Sequence, residues 1–484
     1  MDFKTAKASV DFLIRQEKKT EKLSINFFGG EPLLEFDLIK KVVEYSKQQG
    51  EKYNRNFKFN VTTNATLFTK EIVDYFWEND FGVLFSFDGD KKQIVKVKGV
   101  KAYNQMLNSV KLLKKRDFRL YARVTVRPDD LRMVDAVKHI FKVGFDAASL
   151  CQMSGTDAWN KEETENAFME LADYYIQQAN KDNILALNFI NKDLMASMGV
   201  QKPSERPCGA GRGLIAVTVD GKILPCQHPE TWEQNHVLGN VFEKKLDEEI
   251  RRPFLEYTRD DFIGCDNCIA RSHCIGACLS INYDESKNML KPWNGGCIWT
   301  RARYKASKYI FEELYVKQKN LFLIRMALKS VISDGRSRIE SVFDASKIED
   351  YDYNKKFKSI SFKIAEQDLN LKTGDKIVQF LNKARESNNE LKITRPLPPC
   401  LFGSKSSEIF KKFDIPMQKG KTLEKLKTPD SMIESCDVGK DFTPQIKKRR
   451  ELYKYYIKNV KIPEKCESCI YRIRKQCDYA YFGF

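Results

Sequence analysis

The chain has 484 residues, with 83 Lys and Arg against 66 Asp and Glu, a formal net charge of +17 and a pI near 9.1; its length suggests roughly two to four domains. The basic residues are interleaved with acidic ones, so they read as solvated helix faces and not as a nucleic-acid patch. No apolar run approaches the roughly 20 residues of a spanning helix, and nothing near Met1 has the apolar core of a cleavable signal.

A cytoplasmic, membrane-free protein is therefore expected, and in a reducing compartment 13 cysteines ask for metal before disulfides. The compact basic run Lys447-Lys448-Arg449-Arg450 leads into an amphipathic stretch and reads as a helix face. The excess positive charge also suits attraction of an acidic peptide.

Phe3 to Gln16 carries apolar residues at helical spacing. Leu23 to Phe28 has the composition of a buried strand and stops at Gly29-Gly30-Glu31-Pro32, ahead of a helix over 36–48. A strand, a glycine pair and a helix in that order let the backbone approach a ligand at a strand's C-terminal end. The pattern repeats: Phe57 to Thr63 then a helix from Lys70 to Trp77, Val83 to Asp88 then a helix over 102–115, and strands at Arg119 to Val126 and Asp146 to Cys151. Such alternation predicts a parallel sheet with crossover helices, either an open α/β barrel or a doubly wound sheet, with function at the strand C-termini. Cys151 reads as a small packed apolar residue. Residues 159–200 read as helix plus loop.

From Cys208 to Cys297 the spacing changes character. It runs C-x12-G-x4-C through Cys208, Gly221 and Cys226, then C-x2-C-x5-C-x3-C through Cys265, Cys268, Cys274 and Cys278, and closes on Cys297. The segment around Asp220-Gly221 alternates apolar and polar residues and predicts a tight hairpin. A C-x2-C pair brings two thiolates to one centre and later cysteines complete the shell. Zinc and iron–sulfur clusters both fit such ligands.

After Cys297 a helical connector is expected over 301–332, then a polar boundary. A C-terminal α+β domain over 350–484 follows, with strand, helix, strand at Ser359 to Ile364, Gly374 to Lys383 and Leu391 to Thr394. It holds Cys400, Cys436 and C-x2-C-x7-C through Cys466, Cys469 and Cys477, with Cys436 or Cys400 free to complete a third site. A third iron–sulfur cluster and structural zinc are both open there.

The cysteine block resembles the SPASM domain, which follows the barrel of many radical S-adenosylmethionine (SAM) peptide-modifying enzymes. FFGGEPLL, Thr63-Asn64 and Ser86 to Gly89 resemble the second-, third- and fourth-strand motifs of that barrel. The resemblance implies a partial (β/α)6 barrel over 1–200 that lacks its first strand, and an auxiliary-cluster domain over 205–300. SAM would be held by Gly29, Gly30, Glu31, Ser86 and Arg123, although Arg123 could equally serve in a structural ion pair. Two auxiliary 4Fe-4S clusters would sit one on Cys265, Cys268, Cys274 and Cys297, the other on Cys208, Cys226 and Cys278. The second then has three thiolates, its remaining position open or filled by another side chain. The partners implied are a peptide or protein substrate and an electron donor such as a flavodoxin or ferredoxin.

The family also carries C-x3-C-x2-C after its first strand, and no cysteine precedes Cys151 here. A truncated or wrongly started sequence is the first expectation, a binding module that keeps only its auxiliary clusters the second, and complementation by a separate chain the third. Radical chemistry is not expected of these residues alone. Gln227 stands where the anaerobic sulfatase maturases of the superfamily place an aspartate base, and an amide cannot take that proton. The expected activity is thus another peptide modification, such as thioether crosslinking, with a non-catalytic iron–sulfur or zinc peptide-binding protein as the alternative. His228 is a possible base or ligand, though an exposed loop histidine is the commoner case.

Overall fold

The computed structural model describes residues 1–320, apart from 17–21, 182, 184, 200–207, 229–231, 233, 244 and 275, and beyond them 323, 341–344, 360–363, 371–386 and 455. Met1–Gln318 forms one compact unit and Lys319–Phe484 a second.

The first unit opens with α1 (Phe3–Gln16) and then alternates β1 (Lys22–Phe27), α2 (Phe36–Tyr53), β2 (Asn56–Thr63), α3 (Lys70–Glu78), β3 (Gly82–Ser86), α4 (Lys91–Lys114), β4 (Tyr121–Val126), α5 (Met133–Val143) and β5 (Ala147–Gln152). The five strands form one sheet in the order β1-β2-β3-β4-β5, every pair parallel. This order, with each strand beside its predecessor, is that of an open barrel. A doubly wound sheet would reverse direction partway. α4 starts earlier than helical spacing predicts, at a capping box between Asp90 and Gln93, and breaks at Gly99, whose φ of 82° only glycine adopts without strain.

Period-two alternation splits the sheet into unlike faces. Leu23, Phe59, Val61, Val83, Phe85, Ala122, Val124 and Leu150 are buried on the helix side, where Phe76 stacks on Phe81 with ring centroids 4.1 Å apart. The opposite face carries Asn26, Asn60, Thr62, Ser86, Arg123, Thr125, Ser149 and Cys151, with Leu84, Tyr121 and Ala147 in one apolar row among them. A parallel sheet covered on both sides by helices is apolar on both. A largely polar inner face is instead a surface kept for a ligand.

α6 (Lys161–Ala179) and α7 (Asn188–Ser197) follow, and then a short antiparallel sheet of β6 (Ala216–Val217), β7 (Lys222–Leu224) and β8 (Gly239–Asn240). The expected hairpin is there, turning at Gly221 with φ 84°, where an added Cβ would come within 3.0 Å of Phe242. α8 (Glu248–Glu256), α9 (Leu279–Ser286) and α10 (Asn294–Phe311) complete the unit, with a π-helical turn at Glu312–Lys317.

The stretch expected as a connector from Arg301 belongs to α10, which starts at Asn294, carries Cys297 in its first turns and is packed. Trp299 is buried against Trp159 and Phe168, and the Arg303–Asp193 ion pair at 2.8 Å, 11% and 3% exposed, ties α10 to α7.

α1 serves two cores. Ala6, Val10 and Ile14 pack with Leu23 and Val42 of the barrel. Phe12, fully buried, packs into the cysteine region with Ile223, Leu224, Cys226, Trp232 and Phe254.

In the second unit, Ser341–Asp344 and Ile360–Lys363 pair as parallel strands, and Leu371–Glu386 is a helix with Ile377, Phe380 and Leu381 buried. The strand and helix expected near Ser359 and Gly374 are thus present, and the strand expected at Leu391 lies outside the described residues. Among the described residues no helix is long and apolar enough to cross a membrane.

Candidate functional site

The C-terminal ends of β1, β2 and β3 build the first site. Gly29 has φ 154°, and a Cβ added at Gly29 or Gly30 would meet nothing within 4 Å, so the backbone there borders open space. Glu31 is tied down beside it. Its carboxylate accepts from Thr63 Oγ1 at 2.7 Å, from Asn64 N at 2.8 Å and from Leu33 N at 3.1 Å. The two motifs at Gly29-Gly30-Glu31 and Thr63-Asn64 therefore touch, and Glu31 works through its neighbours, fixing the glycine pair against the next strand end.

Ser86, Arg123 and Ser149 stand in one register row across β3, β4 and β5. The β3 end is held by Lys98, whose Nζ donates to Ser86 O at 2.8 Å and pairs with Asp88 at 2.8 Å, while Asp88 also accepts from Thr125 N at 3.0 Å. Arg123 is half-buried and, among the described residues, makes no ion pair, so the alternative of a structural salt bridge is absent there. A half-buried guanidinium facing a cleft is a place for a carboxylate. Cys151 is not packed as expected. It is half-buried on the same inner face, its thiol 4.0 Å from Ser149 Oγ.

The second site is a cavity of about 330 Å³ lined by Cys265, Cys268, Cys274 and Cys297 together with Arg259, Arg271 and Arg301. Cys274 Sγ accepts from Gly276 N at 3.3 Å, and Arg301 hydrogen-bonds to Cys268. Burial pushes the Cys297 thiol up to about 11, despite the nearby Arg301, and raises Cys265 as well.

The third group joins Cys208, Cys226 and Cys278, which sense one another electrostatically. Trp232 Nε1 donates to Cys226 Sγ at 3.2 Å, Ala210 N to Cys208 Sγ at 3.5 Å, and the buried Ser280 hydroxyl lies 3.1 Å from Cys278 Sγ. Burial raises Cys208 and Cys226. All eight described cysteines are free thiols. Among the described residues no three Cys, His, Asp or Glu side chains are grouped tightly enough to hold a single metal ion.

These donor sets fit iron–sulfur clusters. Soft thiolates at the wall of a chamber, with N–H groups aimed at sulfur and a buried Arg259 Nε that has no hydrogen-bond partner, suit an anionic polynuclear group. Thiols that burial keeps protonated become thiolates when a metal displaces the proton.

Residues 4–140 match the model of the radical SAM superfamily, and residues 208–271 that of SPASM, an iron–sulfur cluster-binding domain. The chain therefore carries a region similar to the radical SAM superfamily and, after it, one similar to the SPASM domain. Among its relatives are the radical SAM cyclopropyl synthase TigE of Paramaledivibacter caminithermalis, 20% identical over 65% of this chain and 64% of its own length. The cysteine-type anaerobic sulfatase-maturating enzyme of Clostridium novyi is 20% identical over 51% of this chain and 72% of its own. An uncharacterized protein of Methanocaldococcus jannaschii is 42% identical over 18% of this chain and 29% of its own. The chain thus spans less than two thirds of the first curated relatives it matches. The solved structure of native anSMEcpe with bound AdoMet shares the fold, with a TM-score of 0.53 at 18% identity over 68% of this chain and 90% of that one.

The five-stranded parallel sheet agrees with the expected α/β fold, and the two matching families imply SAM and iron–sulfur clusters. Cys436, Cys466, Cys469 and Cys477, with Cys400, lie outside the described residues. Gln227 and His228 are half-buried loop residues directly after Cys226. Sequence reasoning missed Arg259, Arg301, Lys98 and Trp232. Arg301 had a signal, standing one helical turn after Cys297 and so on the same face. Arg259 had none.

Proposed function

We propose that this chain supplies the SAM-binding and substrate-facing part of a radical SAM/SPASM peptide maturase. The observation that carries it is the pairing of a largely polar inner sheet face, with open backbone at Gly29-Gly30, with two groups of free, mostly half-buried thiols in one compact unit. SAM's amino-acid end fits the Gly29-Gly30 backbone, with Ser86 and Arg123 facing its carboxylate across the register row. Glu31 positions the glycines. Cys265, Cys268, Cys274 and Cys297 hold one auxiliary cluster. Cys208, Cys226 and Cys278 hold another whose fourth position is open to substrate or to a neighbouring oxygen such as that of Ser280.

Bound SAM would supply the hydrogen-abstracting radical of the superfamily. Its reductive cleavage needs three further thiolates, so cleavage by these 484 residues alone is not proposed. The substrate is a peptide, in keeping with a related structure of native anSMEcpe that holds both AdoMet and a peptide, and the reductant is a flavodoxin- or ferredoxin-type donor.

The test is equilibrium dialysis of SAM against the anaerobically reconstituted chain, with iron and acid-labile sulfide counted on the same sample. Gly30→Val places its side chain in space the structure leaves open, so the fold stays intact while SAM affinity falls about tenfold or more, the loss of one good contact set. Unchanged affinity in that variant would end the cofactor assignment. Zinc without sulfide would end the cluster assignment.

A further inference from the structure

Three guanidinium groups line the four-thiol chamber, and they are not equivalent. Arg271 is answered by acid: its Nη2 lies 2.7 Å from Asp260 and 3.8 Å from Asp266. Arg259 and Arg301 have no carboxylate partner among the described residues. Arg259 even keeps a buried Nε with no hydrogen-bond partner, held in a short turn that Thr258 and Asp261 cap reciprocally. Arg301 lies one helical turn past Cys297 and hydrogen-bonds to Cys268. Half-buried cations with no carboxylate beside them are costly unless an anion meets them. The anion here is the chamber's own content.

We infer that Arg259 and Arg301 form a cationic collar that raises the reduction potential of the cluster on Cys265, Cys268, Cys274 and Cys297 above that of the cluster on Cys208, Cys226 and Cys278. The inference rests on the cluster reading above. Adding an electron adds one negative charge to a cluster and its thiolates, so nearby positive charge and hydrogen bonds to sulfur favour the reduced form. The three-thiol group has a different wall. Its sulfurs take N–H donors from Trp232 and Ala210, which are neutral, and one guanidinium, that of Arg212, stands near them, donating to the Cys208 carbonyl oxygen at 3.4 Å and favouring the Cys208 thiolate, against three guanidinium groups at the four-thiol chamber. The fully ligated cluster is then the easier to reduce and the natural resting place for an electron. The cluster with three thiolates stays poised for substrate. Arg259 and Arg301 are positioning residues here, acting on potential and not on the reacting atoms.

The experiment is a dithionite titration of the reconstituted full chain followed by electron paramagnetic resonance, with iron and sulfide counted in every variant. One one-electron wave is expected from the four-thiol chamber and one from the three-thiol group. Arg259→Gln and Arg301→Gln should each move the higher wave down and leave the lower in place, so that the reduced-to-oxidised ratio at fixed potential falls about tenfold, or about 59 mV. Arg271→Gln should move it less, because Asp260 already offsets that charge. Arg301→Lys keeps the charge and should keep the potential, which also serves if the glutamine variant loses iron. Waves that stay where they are at full iron content, or that move together, or a lysine variant that behaves like glutamine, would overturn the collar. Cys268→Ala distinguishes the underlying reading: if it removes neither iron nor a wave, the chamber holds no cluster and the cluster assignment falls with the inference.

Discussion

The barrel and the cysteine region lie in one compact unit, yet they are held by different physics. The barrel has five hydrogen-bonded parallel strands and an outer face of Phe, Val, Leu and Ile packed under long helices. The cysteine region has three strands of two or three residues, short helices and a core gathered around Phe12, Ile223, Leu224, Trp232 and Phe254. Apolar burial suffices for the first. In the second, mostly half-buried thiols stand where a denser core would put aliphatic side chains, and on the proposed cluster reading metal–thiolate bonds would supply what packing does not.

Removing iron is the harshest way to separate the two. Stripping the clusters with a chelator under oxidising conditions should abolish amide protection across residues 208–297 while β2 to β5 stay protected, read by hydrogen exchange. Equal loss in both regions, or none in either, would erase the distinction. α1 is where the regions meet, and Phe12→Ala is the next largest change. Emptying a fully buried phenylalanine site costs about 3–5 kcal/mol. Because Phe12 packs against Cys226 and Trp232, the loss should appear as lower iron content at the three-thiol group, with the four-thiol chamber still loaded. Equal loss at both groups would mean that α1 holds the unit as a whole.

The same contrast governs how much could be read from sequence. Strands and helices of the barrel announce themselves by period, and the glycine pair at Gly29-Gly30 by its place after an apolar run. The inner face was legible only as a consequence of alternation, since Ser86, Arg123 and Ser149 are far apart in the chain and one register row brings them together. Cysteine spacing predicted that thiols would gather, and Cys265, Cys268, Cys274 and Cys297 line one cavity, but spacing says nothing about its other walls. Arg259 reaches the chamber through a tertiary approach that no local pattern encodes. The part of α4 before Gly99 was not expected, because helical spacing is strong only after Gly99 and the first turns are set by the capping box of Asp90 and Gln93. The helix expected from Arg301 starts earlier, at Asn294, where Gly295 and Gly296 let the start of α10 lie against Trp293 and Trp159.

The barrel has one weak point of its own, and it gives the smallest expected effect. His139 of α5 is half-buried between the rings of Phe87 and Tyr103, its Nε2 3.1 Å from the Tyr103 hydroxyl. Burial holds its pKa below the ordinary 6.5; Asp90 pulls the other way and Lys142 adds to the depression. A histidine depressed in the folded state binds fewer protons there than when unfolded, so stability is unaffected above the unfolded pKa and declines as pH falls below it toward the folded value. Protection of the barrel amides should therefore weaken as pH falls below about 6.5, the ordinary histidine pKa, toward the lower folded value. His139→Gln should flatten that slope, because an amide does not titrate and still reaches the Tyr103 hydroxyl. If the slope survives the substitution, acid sensitivity of the unit belongs to the cysteine region, and the barrel is the pH-insensitive partner.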